Sequence, residues 1–146
     1  MTQLDIIRPV TLDVVIALMR EHGFKAELVS FKEGAGGLAI KGCESEDQVF
    51  LAGIDQNCLK LFREFVIGEI GDINIAHEWN VNDISGCVVV STTNGFAMKY
   101  DTLLTGGMTV GTLKDTVLQF HSASKRLLSL IPELTGHVSW PTHKAR

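Results

Sequence analysis

Residues 72–128 read DINIAHEWNVNDISGCVVVSTTNGFAMKYDTLLTGGMTVGTLKDTVLQFHSASKRLL, and this run decides the fold. Cys87 to Val90 is a short apolar, β-branched segment bounded by Ser85-Gly86 and by Thr92-Thr93-Asn94-Gly95. Asn-Gly between two such segments is a strong hairpin signal, so the turn is expected at Asn94-Gly95. Beyond it Phe96, Met98 and Tyr100 alternate with Ala97, Lys99 and Asp101, the period of a strand with one buried face, ending near Leu104.

Gly106-Gly107 breaks that strand, and Thr109 is suited to cap the helix that follows. Leu113, Val117, Phe120, Leu127 and Ile131 then recur at helical steps, widened by Val110, Leu118, Ala123 and Leu128. A helix from Thr109 to Ile131 would reach roughly 33 Å, about the width of a small domain. Pro132 ends it. At the other end of the run, Asp72 can cap a helix of about two turns through Ile73, Ala76, His77 and Asn80.

Working outward, Thr11 caps an amino-terminal helix with Asp13 in its first turn, and Gly23 closes it. Ala26 to Phe31 and Gly37 to Gly42 form a hairpin around Lys32-Glu33-Gly34-Ala35-Gly36, and Gln48 to Ile54 adds a third strand after Glu44-Ser45-Glu46-Asp47. Leu59 to Ile67 is ambiguous. Cys58, Leu61, Phe62, Phe65 and Val66 fit a helical stripe, whereas Leu59, Leu61, Phe65 and Ile67 fit a strand face interrupted by Arg63.

The chain of 146 residues suits one domain, expected to span residues 1–146 with 132–146 as a surface tail. With 45% hydrophobic residues, 21% charged and a net charge of −4, it has the balance of a soluble globular protein. Mild acidity argues against nucleic acid as a partner, because that surface is ordinarily basic. No apolar run approaches a membrane span, and Met1 to Asp5 lack the features of an export signal. Cys43, Cys58 and Cys87 are odd in number and widely spaced, which points to reduced thiols and a cytoplasmic location.

No catalytic or metal pattern stands out. His77-Glu78 lacks the second histidine of HExxH, since position 81 is Val, and the histidines at 22, 77, 121, 137 and 143 show no ligand spacing. Ile84-Ser85-Gly86 is not a nucleophile elbow, and pairing Cys58 with His121 is arbitrary. Gly34-Ala35-Gly36-Gly37 sits between strands, where a phosphate cradle would need a helix. Gly106-Gly107 does precede a helix, so an anion site there stands beside the simpler turn and cap. Trp79 and Asn80 are expected to lock the short helix onto the sheet, with binding as the lesser alternative.

The order of elements, Ile73-Asn74 with Trp79-Asn80, and Leu103-Leu104-Thr105-Gly106-Gly107 with Thr109 and Leu113 together resemble the YbjN family of putative bacterial sensory-transduction regulators. That family is similar in fold to type III secretion chaperones. The resemblance covers about residues 10–131 and implies that Leu59 to Ile67 is a strand. It marks Asn74, Trp79, Asn80, Gly106 and Gly107 as candidate binding or motif positions.

The expected fold is therefore α+β, an antiparallel sheet of five or six strands flanked by amino-terminal, short central and long carboxy-terminal helices. The expected function is a non-catalytic, chaperone-like module that binds a protein segment as a homodimer, with no cofactor and no metal. The alternative is a small-molecule or anion binder, or an unrecognised enzyme, with a pocket on the sheet lined by Cys58, His77, Trp79 or His121.

Overall fold

A computed structural model of the chain describes residues 2, 4–30, 38–43 and 49–131. The elements in order are β1 (Ile6–Ile7), α1 (Leu12–Glu21), β2 (Lys25–Ser30), β3 (Leu38–Cys43), β4 (Val49–Asp55) and β5 (Cys58–Val66). They are followed by α2 (Ile73–Asn82), β6 (Val88–Thr92), β7 (Gly95–Leu103), β8 (Met108–Thr109) and α3 (Val110–Leu130). The glycine-rich loop from Lys32, the acidic turn from Glu44 and the tail 132–146 lie outside the described residues. The fold is α+β, with a six-stranded antiparallel sheet in the order β2-β3-β4-β5-β7-β6. A two-stranded ribbon of β1 and β8, absent from the sequence-based expectation, pairs Ile6 with Thr109 and Ile7 with Met108.

The ambiguous segment is the central strand β5. Leu59, Leu61, Arg63 and Phe65 alternate inward and all four are buried, so the strand face is continuous and Arg63 belongs to it. Its guanidinium lies over the Phe65 ring at 4.6 Å, a placement in which the planar cation covers apolar surface. Burial lowers the Arg63 pKa to about 10, which leaves it charged at neutral pH. A buried arginine on a core face is what obscured the alternation.

The turns are distributed differently from the expectation. The hairpin of β6 and β7 closes at the pair Thr92 and Gly95, so its loop is Thr93-Asn94, one residue earlier than Asn94-Gly95. Gly95 is needed for another reason: a Cβ there would lie 2.0 Å from the carbonyl oxygen of Phe65. The loop with two left-handed residues is Gln56-Asn57, at φ 49° and 62°, between the paired Asp55 and Cys58. Asn57 is held there by Nδ2 donating to Thr105 Oγ1 at 3.0 Å and by its carbonyl accepting from Leu104 N at 2.9 Å.

The expected caps are present. Thr11 Oγ1 accepts from Val14 N, Asp72 Oδ1 from Asn74 N and Thr109 Oγ1 from Thr112 N, each satisfying an orphan amide of a first turn. Val15, Leu18 and Met19 of α1, Ala76 and Trp79 of α2, and Leu113, Val117, Phe120, Ala123 and Leu127 of α3 share one buried cluster with the inward residues of the strands. The three helices therefore cover one face of the sheet. The other face is mixed: it carries Lys60 opposite Asp101 and Phe62 opposite Lys99, but also Leu51, opposite Phe62, and Ala97, both buried.

Candidate functional site

The sheet has two edges, β6 and β2, and their backbone groups meet different fates. A free strand edge presents unpaired N–H and C=O groups that template another strand. On β6 the outward groups of Cys87 and Val89 are taken by α2 and its flanks, while among the described residues nothing bonds those of Ser91 at the far end of the strand. Asn80 Nδ2 donates to Val89 O at 2.8 Å, and Asn80 Oδ1 accepts from Val89 N at 2.9 Å, so one carboxamide imitates a neighbouring strand residue. Trp79 Nε1 donates to Cys87 O at 3.0 Å, and Gly71 N donates to Thr92 O at 3.2 Å.

The link from α2 to β6 is tied down as well. Asp83 accepts from the N–H of Ser85 at 3.0 Å and from its hydroxyl, and Arg126 of α3 bonds both Asp83 oxygens, at 3.0 and 3.3 Å. Burial by itself raises the Asp83 carboxyl, but hydrogen bonds from Ser85 and Arg126 and the nearby Arg126 charge outweigh it and hold the group below its ordinary value. Burial pushes the Cys87 thiol up, toward the unreactive neutral form.

Among the described residues, the β2 edge is open. Arg20 Nε donates to Ala26 O at 3.0 Å, which marks Ala26, and by strand alternation Leu28, as residues whose backbone groups point away from β3. Among the described residues, nothing bonds the outward N–H and C=O of Leu28. The Leu28 side chain is itself exposed at 45%. Beside it runs a groove of about 320 Å³ between α1 and β2, lined by Asp13, Ile16, Ala17, Arg20, Glu27 and Leu28. A second hollow of about 300 Å³ along the same edge adds Lys25, Lys41 and Cys43. The edge thus combines free backbone donors and acceptors with an apolar floor and charges of both signs.

The residues marked from sequence fall in two substructures. Trp79 and Asn80 cap the β6 edge, and Asn74 is exposed on the first turn of α2. Gly106 and Gly107 instead form the turn between β7 and β8. There Arg8 Nε donates to Gly106 O at 3.0 Å and Gly107 N donates to Leu104 O at 2.9 Å. Val110 N donates to Asp5 O at 2.9 Å. These amides serve the fold, so the turn offers no support for an anion site. A Cβ at Gly107, where φ is +89°, would lie 2.5 Å from Ile7 O, so glycine is dictated by the ribbon.

The pocket envisaged from Cys58, His77, Trp79 and His121 is not assembled. His121 is buried beside Phe24 and Phe50, with ring centroids 5.4 and 6.4 Å away, while His77 is exposed on α2. Cys58 lies on the opposite face of the sheet from the buried Leu59. A cleft of about 480 Å³ between α2 and α3 does include Trp79, with Ile75, Glu78, Asn82, Asp83, Arg126, Ser129 and Leu130, but Arg126 is already held by Asp83. Among the described residues, no cluster of three or more His, Cys, Asp or Glu is placed to hold a metal ion, and no helix is long and apolar enough to cross a membrane.

Arg20 and Leu28 were invisible as site residues in the sequence, because only the strand order reveals which strand is left at the edge. The geometry defines a class: an α+β protein with helices on one face and, among the described residues, one sheet edge largely capped by a helix and one open. No family model, curated protein or solved structure matches the chain.

Proposed function

We propose that this protein is a non-catalytic, chaperone-like binding module that holds an extended segment of another protein along β2 and works as a homodimer in the cytoplasm. The observation that carries the reading is the open β2 edge beside the α1 groove. A docked strand would gain main-chain hydrogen bonds from Leu28 and place alternate side chains in the groove over Ile16, Ala17 and Leu28. The resemblance to the YbjN family, and through it to type III secretion chaperones, agrees with this use of the surface. All three cysteines are unpaired, in keeping with a reducing compartment.

The test is Leu28→Pro. Proline is tolerated where a strand N–H faces outward, but it removes the donor that an added strand requires. The wild-type chain, crosslinked in host lysate, should capture a saturable protein partner, and the variant should lose it while its thermal midpoint stays close to that of the wild type. Equal capture by both chains, or none by the wild type, would overturn the reading.

A further inference from the structure

The charges beside the open edge follow an order. α1 runs back along β2 from the turn at Gly23, so it meets the strand in reverse: Arg20 sits at Ala26, whose carbonyl it bonds, and Ile16 and Ala17 share the groove with Leu28. Asp13, seven residues before Arg20 and therefore roughly 10 Å along the helix axis, lines the far end of that groove. The neighbouring hollow also contains Arg20 and Glu27 and continues to Lys25. Among the described residues Asp13, Arg20, Lys25 and Glu27 are exposed and none is in an ion pair. On the helix side the edge is thus basic at Ala26, apolar at Leu28 and acidic beyond it.

We propose that the segment captured at β2 is a strand antiparallel to it, with a basic, an apolar and an acidic residue at alternate positions, in that order from its amino-terminal side. This names the chemistry of the partner and rests on the strand-capture reading of the edge. The direction follows the sheet, in which every ladder is antiparallel. Alternate side chains of an added strand fall over α1. The one opposite Ser30 comes first and is nearest Asp13, the one opposite Leu28 lies over Ile16 and Ala17, and the one opposite Ala26 meets Arg20.

Arg20 then has two roles. Its Nε holds the Ala26 carbonyl, which stops the added ladder there, and its remaining guanidinium nitrogens, with Lys25 in the same hollow, are left to bind a carboxylate of the guest. On the other face the guest passes Glu27, where a neutral or basic residue fits and an acidic one is repelled.

Amide NMR titration with short synthetic peptides up to millimolar concentration tests the order. A peptide with the core lysine-threonine-leucine-threonine-glutamate, blocked at both ends, should shift the β2 amides of the wild-type chain. The same peptide with lysine and glutamate exchanged should bind roughly tenfold more weakly. Arg20→Glu, with its thermal midpoint checked against the wild type, should invert the preference for glutamate over lysine at the last position. Equal binding of the two peptides, both lost in Leu28→Pro, would overturn the charge order and leave strand capture standing. Tighter binding of the exchanged peptide would overturn the antiparallel direction. No binding by either, while capture of a lysate partner still depends on Leu28, would overturn the order alone.

Discussion

The two edges of the sheet lie on strands of similar length, five residues in β6 and six in β2, yet they end in opposite ways. At β6 a ten-residue helix spends an asparagine and a tryptophan on the strand's backbone, and leaves Ile73 and Val81 exposed among polar residues. At β2 a helix lends one arginine to the Ala26 carbonyl and, among the described residues, the outward backbone groups of Leu28 are open. Sealing an edge removes strand addition as a mode of recognition and leaves only side-chain contacts with a folded partner. The contrast therefore separates two kinds of edge on one small sheet, one largely closed to an added strand and one open to it among the described residues.

The largest effects should come from breaking the sealed edge. Trp79 is nearly fully buried, and Trp79→Ala should cost about 3–5 kcal/mol through the lost volume alone. Asn80→Ala leaves the outward N–H and C=O of Val89 without partners, a cost of ~1–3 kcal/mol. It should also make the protein self-associate through the newly exposed β6 edge. The matched change at the other edge, Arg20→Met, removes one partly buried hydrogen bond and should cost no more than ~1 kcal/mol, without added association. Urea midpoints with light scattering check all three. Equal losses for Asn80→Ala and Arg20→Met would mean that the edges are not different in kind.

A smaller effect depends on pH. The Asp83 carboxyl titrates lower in the folded chain than the ordinary Asp value of about 3.9. Folding therefore favours its ionised form, and the stabilisation is present above that ordinary value and lost as pH falls through the lower folded one. The sealed edge should loosen first in acid. The urea midpoint of the wild type should drop below about pH 4, and Ser85→Ala, which removes one of the bonds that lower Asp83, should shrink that drop. An identical acid profile for the variant would detach the linker from the stability of this edge.

How much of this was legible in the sequence follows the range of the interactions. The caps Thr11, Asp72 and Thr109 and the order of helices and strands depend on neighbours in the chain, and the structure has them where expected. The β5 strand was masked by Arg63, whose side chain looks like a solvent residue until the stacking on Phe65 is seen. Asn94-Gly95 misplaced a turn by one residue because Gly95 answers to the carbonyl of Phe65 on another strand. Trp79 and Asn80 were recognised as locking α2 to the sheet, but not as edge caps. The open edge at β2 was not legible at all, since it follows from β7 pairing with β5, a contact set by the whole fold.

The smallest effect compares the edges through their own thiols. Cys43 is opposite Lys25 at the β2 side and is half-buried, while Cys87 begins the β6 segment, buried beneath α2 with its carbonyl bonded by Trp79. Alkylation requires a thiolate within reach of the reagent, and burial disfavours both at Cys87 by covering the sulfur and raising its pKa. Cys43, only half-buried, should therefore label without any movement of α2, and Cys87 only when α2 lifts from the strand. Iodoacetamide labelling followed by peptide mass spectrometry should find Cys87 the slower of the two, and Asn80→Ala should speed Cys87 while leaving Cys43 unchanged. If Cys87 keeps its wild-type rate in Asn80→Ala, the carboxamide does not control the opening of this edge, and the seal must then rest on Trp79 and the Asp83 linker.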